Sequence, residues 1–217
     1  MDYDDLITYT PVLEYIKRLV SFEDDELGEL EKQCREQNFP IVKPETKALL
    51  KTLLQIHKPE TILEIGACVG FSALLMKENS HGVRKIITID RYEYMIRRAR
   101  KNFESLDGEK IIELREGQAI DMLEKIDEQF EMIFLDAAKG QYPVFLPHCL
   151  RLLKRGGLFI ADNVLFRGIT AQQERASRRD KTIARRLDEF INSVVKNEEL
   201  VSSLIPIGDG VLIAYKK

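Results

Sequence analysis

From Thr61 onward the chain alternates short apolar runs with amphipathic helical stretches, and this alternation restricts the fold more than any other feature. The runs fall at 62–65, 86–89, 111–114, 132–135 and 158–161. They are largely without a polar side, as strands are when helices cover a parallel sheet on both faces. Between them the clearest helical stripe is Met95, Ile96, Ala99, Phe103 and Leu106. Strands separated by helices need right-handed crossovers, so the expected fold is α/β with a doubly wound, mostly parallel sheet. Two further runs, 200–205 and 211–215, are joined only by Pro206-Ile207-Gly208-Asp209-Gly210. That link is too short for a helical crossover and predicts a closing antiparallel hairpin.

Ahead of this core the chain reads as helices. Val12, Leu13, Ile16, Leu19 and Val20 share one helical face, and Leu27, Leu30 and Cys34 continue the pattern. Pro40 disfavours helix at Phe39, and Leu49, Leu50, Leu53, Leu54 and His57 mark another helix before Pro59. A length of 217 residues suits a single domain, with 1–58 adding helices and 59–217 forming the core. No stretch approaches the ~20 apolar residues that span a bilayer, and residues 1–5 are acidic where a signal peptide is basic. A net charge of −3 gives no general attraction to nucleic acid or membrane. Cys34, Cys68 and Cys149 are too few for a disulfide framework and lack metal-site spacing, as expected of reduced thiols in a cytoplasmic protein. His57, His81 and His148 have no partners at ligand spacing.

The first strand-to-helix turn reads Leu63-Glu64-Ile65-Gly66-Ala67-Cys68-Val69-Gly70-Phe71-Ser72. Glycine there allows a sharp turn and close approach of a ligand. The Gly-x-x-x-Gly spacing differs from the Gly-x-Gly-x-x-Gly of dinucleotide sites, which speaks against a nicotinamide oxidoreductase. Asp90 ends the second strand, where a carboxylate can accept from both ribose hydroxyls, or can cap the next helix. Gln118 follows the third strand, placed either to meet an adenine edge or to serve as a loop amide.

The fourth and fifth strands end in Asp136-Ala137-Ala138-Lys139 and Asp162-Asn163. Carboxyl ends of parallel strands are where open α/β sheets bind ligands. Asp136, Asp162 and Asn163 would offer oxygen ligands from adjacent loops, suited to a hard cation such as Mg²⁺ and, without histidine or cysteine, not to zinc. A neighbouring cation favours the neutral form of a lysine, so Lys139 can serve as general base toward a hydroxyl. The alternative is a Lys–Asp surface pair beside an ordinary turn.

Leu-Glu-Ile-Gly-Ala-x-x-Gly-Phe-Ser at 63–72, Asp-Ala-Ala-Lys at 136–139 and Asp-Asn at 162–163 resemble the catechol and caffeoyl-CoA type O-methyltransferases. The segments 136–142, 162–168 and 206–210 look most like those of bacterial tRNA 5-hydroxyuridine methyltransferases within that family. The resemblance implies a Rossmann-like class I methyltransferase with a seven-stranded sheet, S-adenosylmethionine and Mg²⁺ as cofactors, tRNA as substrate and a homodimer. It further implies that Val42, Glu64, Gly66, Ser72, Asp90, Gln118 and Asp136 hold the cofactor. Asp136, Asp162 and Asn163 would hold the metal, and Lys139 would act in catalysis. Gln118 departs from the aspartate of those relatives.

One local feature bears on substrate. Arg175, Arg178, Arg179, Lys181, Arg185 and Arg186 crowd a segment whose only acids before Asp188 are Glu174 and Asp180. Arg178, Arg179, Arg185 and Arg186 are therefore candidates for phosphate contacts with tRNA; the other reading is a solvated face flanking the apolar stripe 183–195. A small-molecule O-methyltransferase acting on catechol-like phenols and a non-catalytic RNA-binding protein are the rival functions.

Overall fold

The computed structural model describes residues 7–20, 22 and 24–217, so the acidic start at residues 1–5 lies outside the described residues. Seven strands form one sheet: β1 (Thr61–Ile65), β2 (Lys85–Asp90), β3 (Ile112–Glu116), β4 (Phe130–Leu135), β5 (Leu153–Ala161), β6 (Leu200–Ile205) and β7 (Val211–Lys216). Their order is β3-β2-β1-β4-β5-β7-β6. β1 to β5 run parallel, and β7 lies antiparallel between β5 and β6. The doubly wound sheet and the closing hairpin are thus as the sequence pattern requires.

Two strands differ in extent from the apolar runs. β3 continues through Glu116, paired with Asp90, because it is an edge strand whose open side tolerates Glu113 and Glu116. β5 starts at Leu153, directly after the preceding helix. Its pairing to β4 slips between Phe130 and Met132, which takes up residues 154–157.

Eight α-helices are present among the described residues: α1 (Thr10–Leu19), α2 (Glu26–Glu36), α3 (Pro44–His57), α4 (Phe71–Asn79), α5 (Glu93–Leu106), α6 (Ala119–Lys125), α7 (Tyr142–Leu152) and α8 (Arg178–Val195). Leu27, Cys34, Leu50 and Leu54 carry α2 and α3 into one core layer, with Phe71, Leu74 and Ile62. The buried Glu31 clasps these two helices, accepting from Arg35 and from Lys47 at 2.7 Å. Arg35 also donates to the Val42 carbonyl at 3.1 Å, which places the segment before α3.

α1 forms where its periodicity predicts, but its apolar side is only partly covered in this chain: Leu13, Ile16 and Val20 are half-buried and no residue of the helix is fully buried. Val12, Tyr15 and Leu19 are 46, 56 and 66 % exposed. Amphipathic spacing specifies a stripe, not what covers it.

On the other sheet face, α7 and α8 pack through Tyr142, Leu187, Phe190 and Val194. The Phe190 ring meets the Tyr142 ring edge-on at 5.3 Å. Truncating such a buried aromatic typically costs ~3–5 kcal/mol. His57 bonds the Glu131 carbonyl, a structural contact, and all three cysteines are unpaired. Among the described residues no helix is long and apolar enough to cross a membrane.

Candidate active site

The chain leaves β1 toward β2 on one side, and β4 leads to β5 on the other. Ligands bind at such a switch point, beyond the carboxyl ends of the strands. The two loops are tied there: the Asp136 amide donates to Ile65 O at 2.9 Å, and the Gly66 amide to Ile89 O at 2.9 Å. Between them opens a cavity of about 770 Å³, within the range of small-molecule sites. Val42, Gly66, Ser72, Asp90, Gln118, Asp136, Lys139, Asp162 and Asn163 all line it. From Gly66 to Asn163, residues up to 97 positions apart share one wall through the sheet, and Val42 joins them from the segment before α3.

Gly66 has φ +111°, and a Cβ there would sit 1.9 Å from the Asp136 carbonyl oxygen. Only glycine lets β1 and β4 end this close together. Asp90 ties the cavity's far end: one carboxylate oxygen accepts from the Cys68 amide at 2.8 Å, the other from the amides of Arg91 and Tyr92. It caps the approach to α5 rather than the first helical turn, and still lines the cavity. Gln118 accepts at Oε1 from Arg91 at 3.0 Å, which leaves its amide nitrogen for the cavity.

Glu64 sits one layer behind Ser72 and is not itself on the cavity wall. Strand alternation turns it into the interior, fully buried. Burial pushes its carboxyl up to about 7, against hydrogen bonds from Ser72 and Thr88. Its Oε1 is buried with no partner among the described residues.

At the other end Lys139 donates to Asn163 Oδ1 at 3.2 Å, joining the two sequence motifs. Lys139 starts a short 3₁₀ turn, Lys139–Gln141, leading into α7. Burial raises the Asp136 carboxyl to about 6, opposed by Lys139 and reinforced by Asp209. Asp162, 1 % exposed, is pushed well above the usual carboxylate range by burial and then by Asp136. Mutually repelling buried carboxylates beside one lysine are under-compensated. Two carboxylates and the Asn163 amide fit a divalent cation that completes its shell with water or substrate oxygens. Among the described residues no three Asp, Glu, His or Cys side chains converge as a metal-binding group, so such an ion would depend on Asn163.

Three contributors escaped the sequence reading. The buried Tyr142 hydroxyl donates to the Asp162 carbonyl at 2.9 Å and holds that loop. Asp209 accepts from the Arg167 amide, while Leu165 donates to the Asp209 carbonyl and Val164 to that of Gly210. The 162–168 and 206–210 segments are therefore one unit, each bracing the other. Both residues lie inside motifs that carried the family resemblance, which was the available signal. Arg91 had none beyond adjacency to Asp90.

The α8 arginines are not brought together. Arg178 and Arg185 line a separate depression with Lys181. Arg186 instead donates to the Gly140 carbonyl at 2.8 Å, beside Lys139. Arg179 lines neither hollow and is exposed.

A sheet of this order with one large hollow over its carboxyl edge defines a Rossmann-like enzyme that binds a nucleoside-type cofactor. The O-methyltransferase family profile matches residues 19–217. Catechol O-methyltransferase of Niastella koreensis is 32 % identical over 157 residues, 70 % of this chain and 71 % of that protein. A crystal structure described as a candidate caffeoyl-CoA O-methyltransferase from Staphylococcus aureus superposes with a TM-score of 0.87 at 29 % identity, covering 95 % of this chain and all of that one. The O-methyltransferase of Bacillus cereus in complex with SAH superposes at 0.81, with 26 % identity and 95 and 97 % coverage. The chain belongs to the O-methyltransferase family, of the catechol and caffeoyl-CoA type.

Proposed function

We propose that the protein is an S-adenosylmethionine- and Mg²⁺-dependent O-methyltransferase whose acceptor is the 5-hydroxyl of wobble uridine in tRNA, giving 5-methoxyuridine. The observation that carries the RNA part is α8, whose basic N-terminal half reaches the catalytic turn through Arg186 and Gly140. Arginines there would meet phosphates flanking the reacting base.

S-adenosylmethionine supplies a methyl group on a cationic sulfur. Asp90 would accept from the ribose hydroxyls, and the free amide nitrogen of Gln118 would donate to adenine. Ser72, backed by the buried Glu64, would meet the amino-acid end near Val42. A cation held by Asp136, Asp162 and Asn163 would acidify a substrate hydroxyl. Lys139 would take the proton at Nζ, leaving the oxygen free to accept the methyl. The chain's own part is orientation: alignment of this kind lowers a barrier by roughly 7–11 kcal/mol in favourable cases.

The relative named catechol O-methyltransferase, and a net charge of −3, favour a small phenol as the second reading. Methyl transfer from labelled S-adenosylmethionine to 5-hydroxyuridine-bearing tRNA and to catechol separates the two. Transfer to catechol alone overturns the RNA assignment. A homodimer covering the α1 stripe is part of the proposal; light scattering of a Leu19→Glu variant should report a shift to monomer.

A further inference from the structure

We propose that the depression on the outer face of α8 seats a phosphate group of the methyl-accepting substrate, remote from the hydroxyl that reacts. This rests on the O-methyltransferase reading, but not on the acceptor being RNA. The depression, about 420 Å³, is lined by Gln173, Arg178, Lys181, Thr182 and Arg185. The last four stand at i, i+3, i+4 and i+7, hence on one helical face.

Three cations share this wall and no carboxylate does. Among the described residues no acid lies within ion-pair distance of Arg178 or Lys181. Arg185 has only Glu189, at 3.7 Å, with both side chains more than half exposed. The nearest acid in sequence, Asp180, is engaged instead by the Ser177 hydroxyl at 2.7 Å in the α8 N-cap. Like charges one turn apart destabilise a helix, and the positive end of the α8 dipole adds to the same potential. The Thr182 hydroxyl donates to Arg178 O and the Gln173 amide to Thr170 O. What the hollow offers is therefore concentrated positive charge with guanidinium forks, the donor set that matches phosphate oxygens.

Its place in the fold narrows the source of that phosphate. Arg186, next along the helix, turns the other way and holds Gly140 beside Lys139. From Arg178 to Arg186 an α-helix advances ~12 Å. One rigid element therefore spans from the seat to the catalytic turn. A substrate bearing phosphate well away from its reactive hydroxyl fits that span. Both an RNA strand and a coenzyme A thioester have this form, and a free catechol does not.

The test uses the full chain and a triple variant, Arg178→Ala with Lys181→Ala and Arg185→Ala, plus the single Lys181→Glu. The probes are a fluorescein-labelled RNA stem-loop and coenzyme A, each at about 50 and 200 mM salt. Binding of SAH (S-adenosylhomocysteine) by calorimetry checks that each variant is folded. The triple variant should bind one probe at least ~30-fold more weakly, with a salt slope reduced by about 2 to 3 if those phosphates are RNA's. Lys181→Glu should weaken the same probe, and SAH affinity should be retained. Loss for the stem-loop alone assigns the phosphate to nucleic acid; loss for coenzyme A alone assigns it to a nucleotide thioester. If wild type binds neither probe, or the variants bind both as wild type does, the seat is refuted. Failure of the wild type to methylate any hydroxyl acceptor would instead overturn the enzymatic reading.

Discussion

Replacing Gly66 by alanine should separate two strands that the active site needs in contact. The added Cβ would lie 1.9 Å from the Asp136 carbonyl oxygen and 2.7 Å from its carbonyl carbon. Both are backbone atoms, so no side chain can swing aside. Ordinary contact needs the segments to part by roughly 1.5 Å, against the 2.9 Å hydrogen bond from the Asp136 amide to Ile65 O. The residue must also hold φ +111°, a strain of about 1–2 kcal/mol for an L-residue. Overpacking adds roughly 1–3 kcal/mol, so the loss in stability should be about 2–5 kcal/mol. Activity should suffer more than this suggests. Asp136 faces both Lys139 and Asp162, and a ~1 Å misplacement at a reacting centre costs on the order of 100-fold. Urea unfolding, SAH calorimetry and initial rates read the three consequences separately. Gly82→Ala is the control: φ is +86° but nothing lies within 4 Å of its Cβ, so only the backbone cost remains. A Gly66→Ala protein with wild-type stability and rate, or a Gly82→Ala protein equally impaired, would refute the reasoning.

Lys139→Ala should lower turnover ~10²–10⁴-fold while SAH affinity stays within a few-fold; a single-turnover rate near wild type removes the base role. Asp162→Ala, or excess EDTA with metal loss verified, should abolish most methyl transfer. The apo variant should be no less stable than wild type near neutral pH, because burial and Asp136 already penalise that carboxylate. Glu64 takes up a proton on folding between its ordinary 4.5 and about 7. Its favourable contribution is therefore present below pH 4.5 and lost as pH rises through 7. Glu64→Gln should gain stability relative to wild type from pH 5 to 8, by up to roughly 3 kcal/mol in urea titrations; a difference independent of pH contradicts this. Arg91→Ala frees Gln118 Oε1 and should weaken SAH by about 3–10-fold with an unchanged melting temperature, measured by calorimetry.

The sheet was legible in the sequence because its signals are local. Apolar runs between helical stripes specify strands and crossovers, and the turn residues Gly66, Asp136 and Asp162 fall at strand ends by counting along the chain. Once the strands are parallel, those ends must lie on one edge, which brings Gly66, Asp136 and Asp162 to one cavity. Relations that depend on rotation about an axis, or on a partner distant in sequence, were not legible. Helical periodicity takes Arg186 off the Arg178–Lys181–Arg185 face, but the packing of Leu187, Phe190 and Val194 decides that this face lines an outer hollow while Arg186 reaches Gly140. Strand pleating turns Glu64 behind Ser72 instead of into the cavity. The bracing of 162–168 by Asp209 joins residues about 42 apart through a hairpin whose position only sheet order decides. Periodicity tells a helix or strand which of its faces is apolar; which neighbour meets that face is settled by the packing of the whole chain.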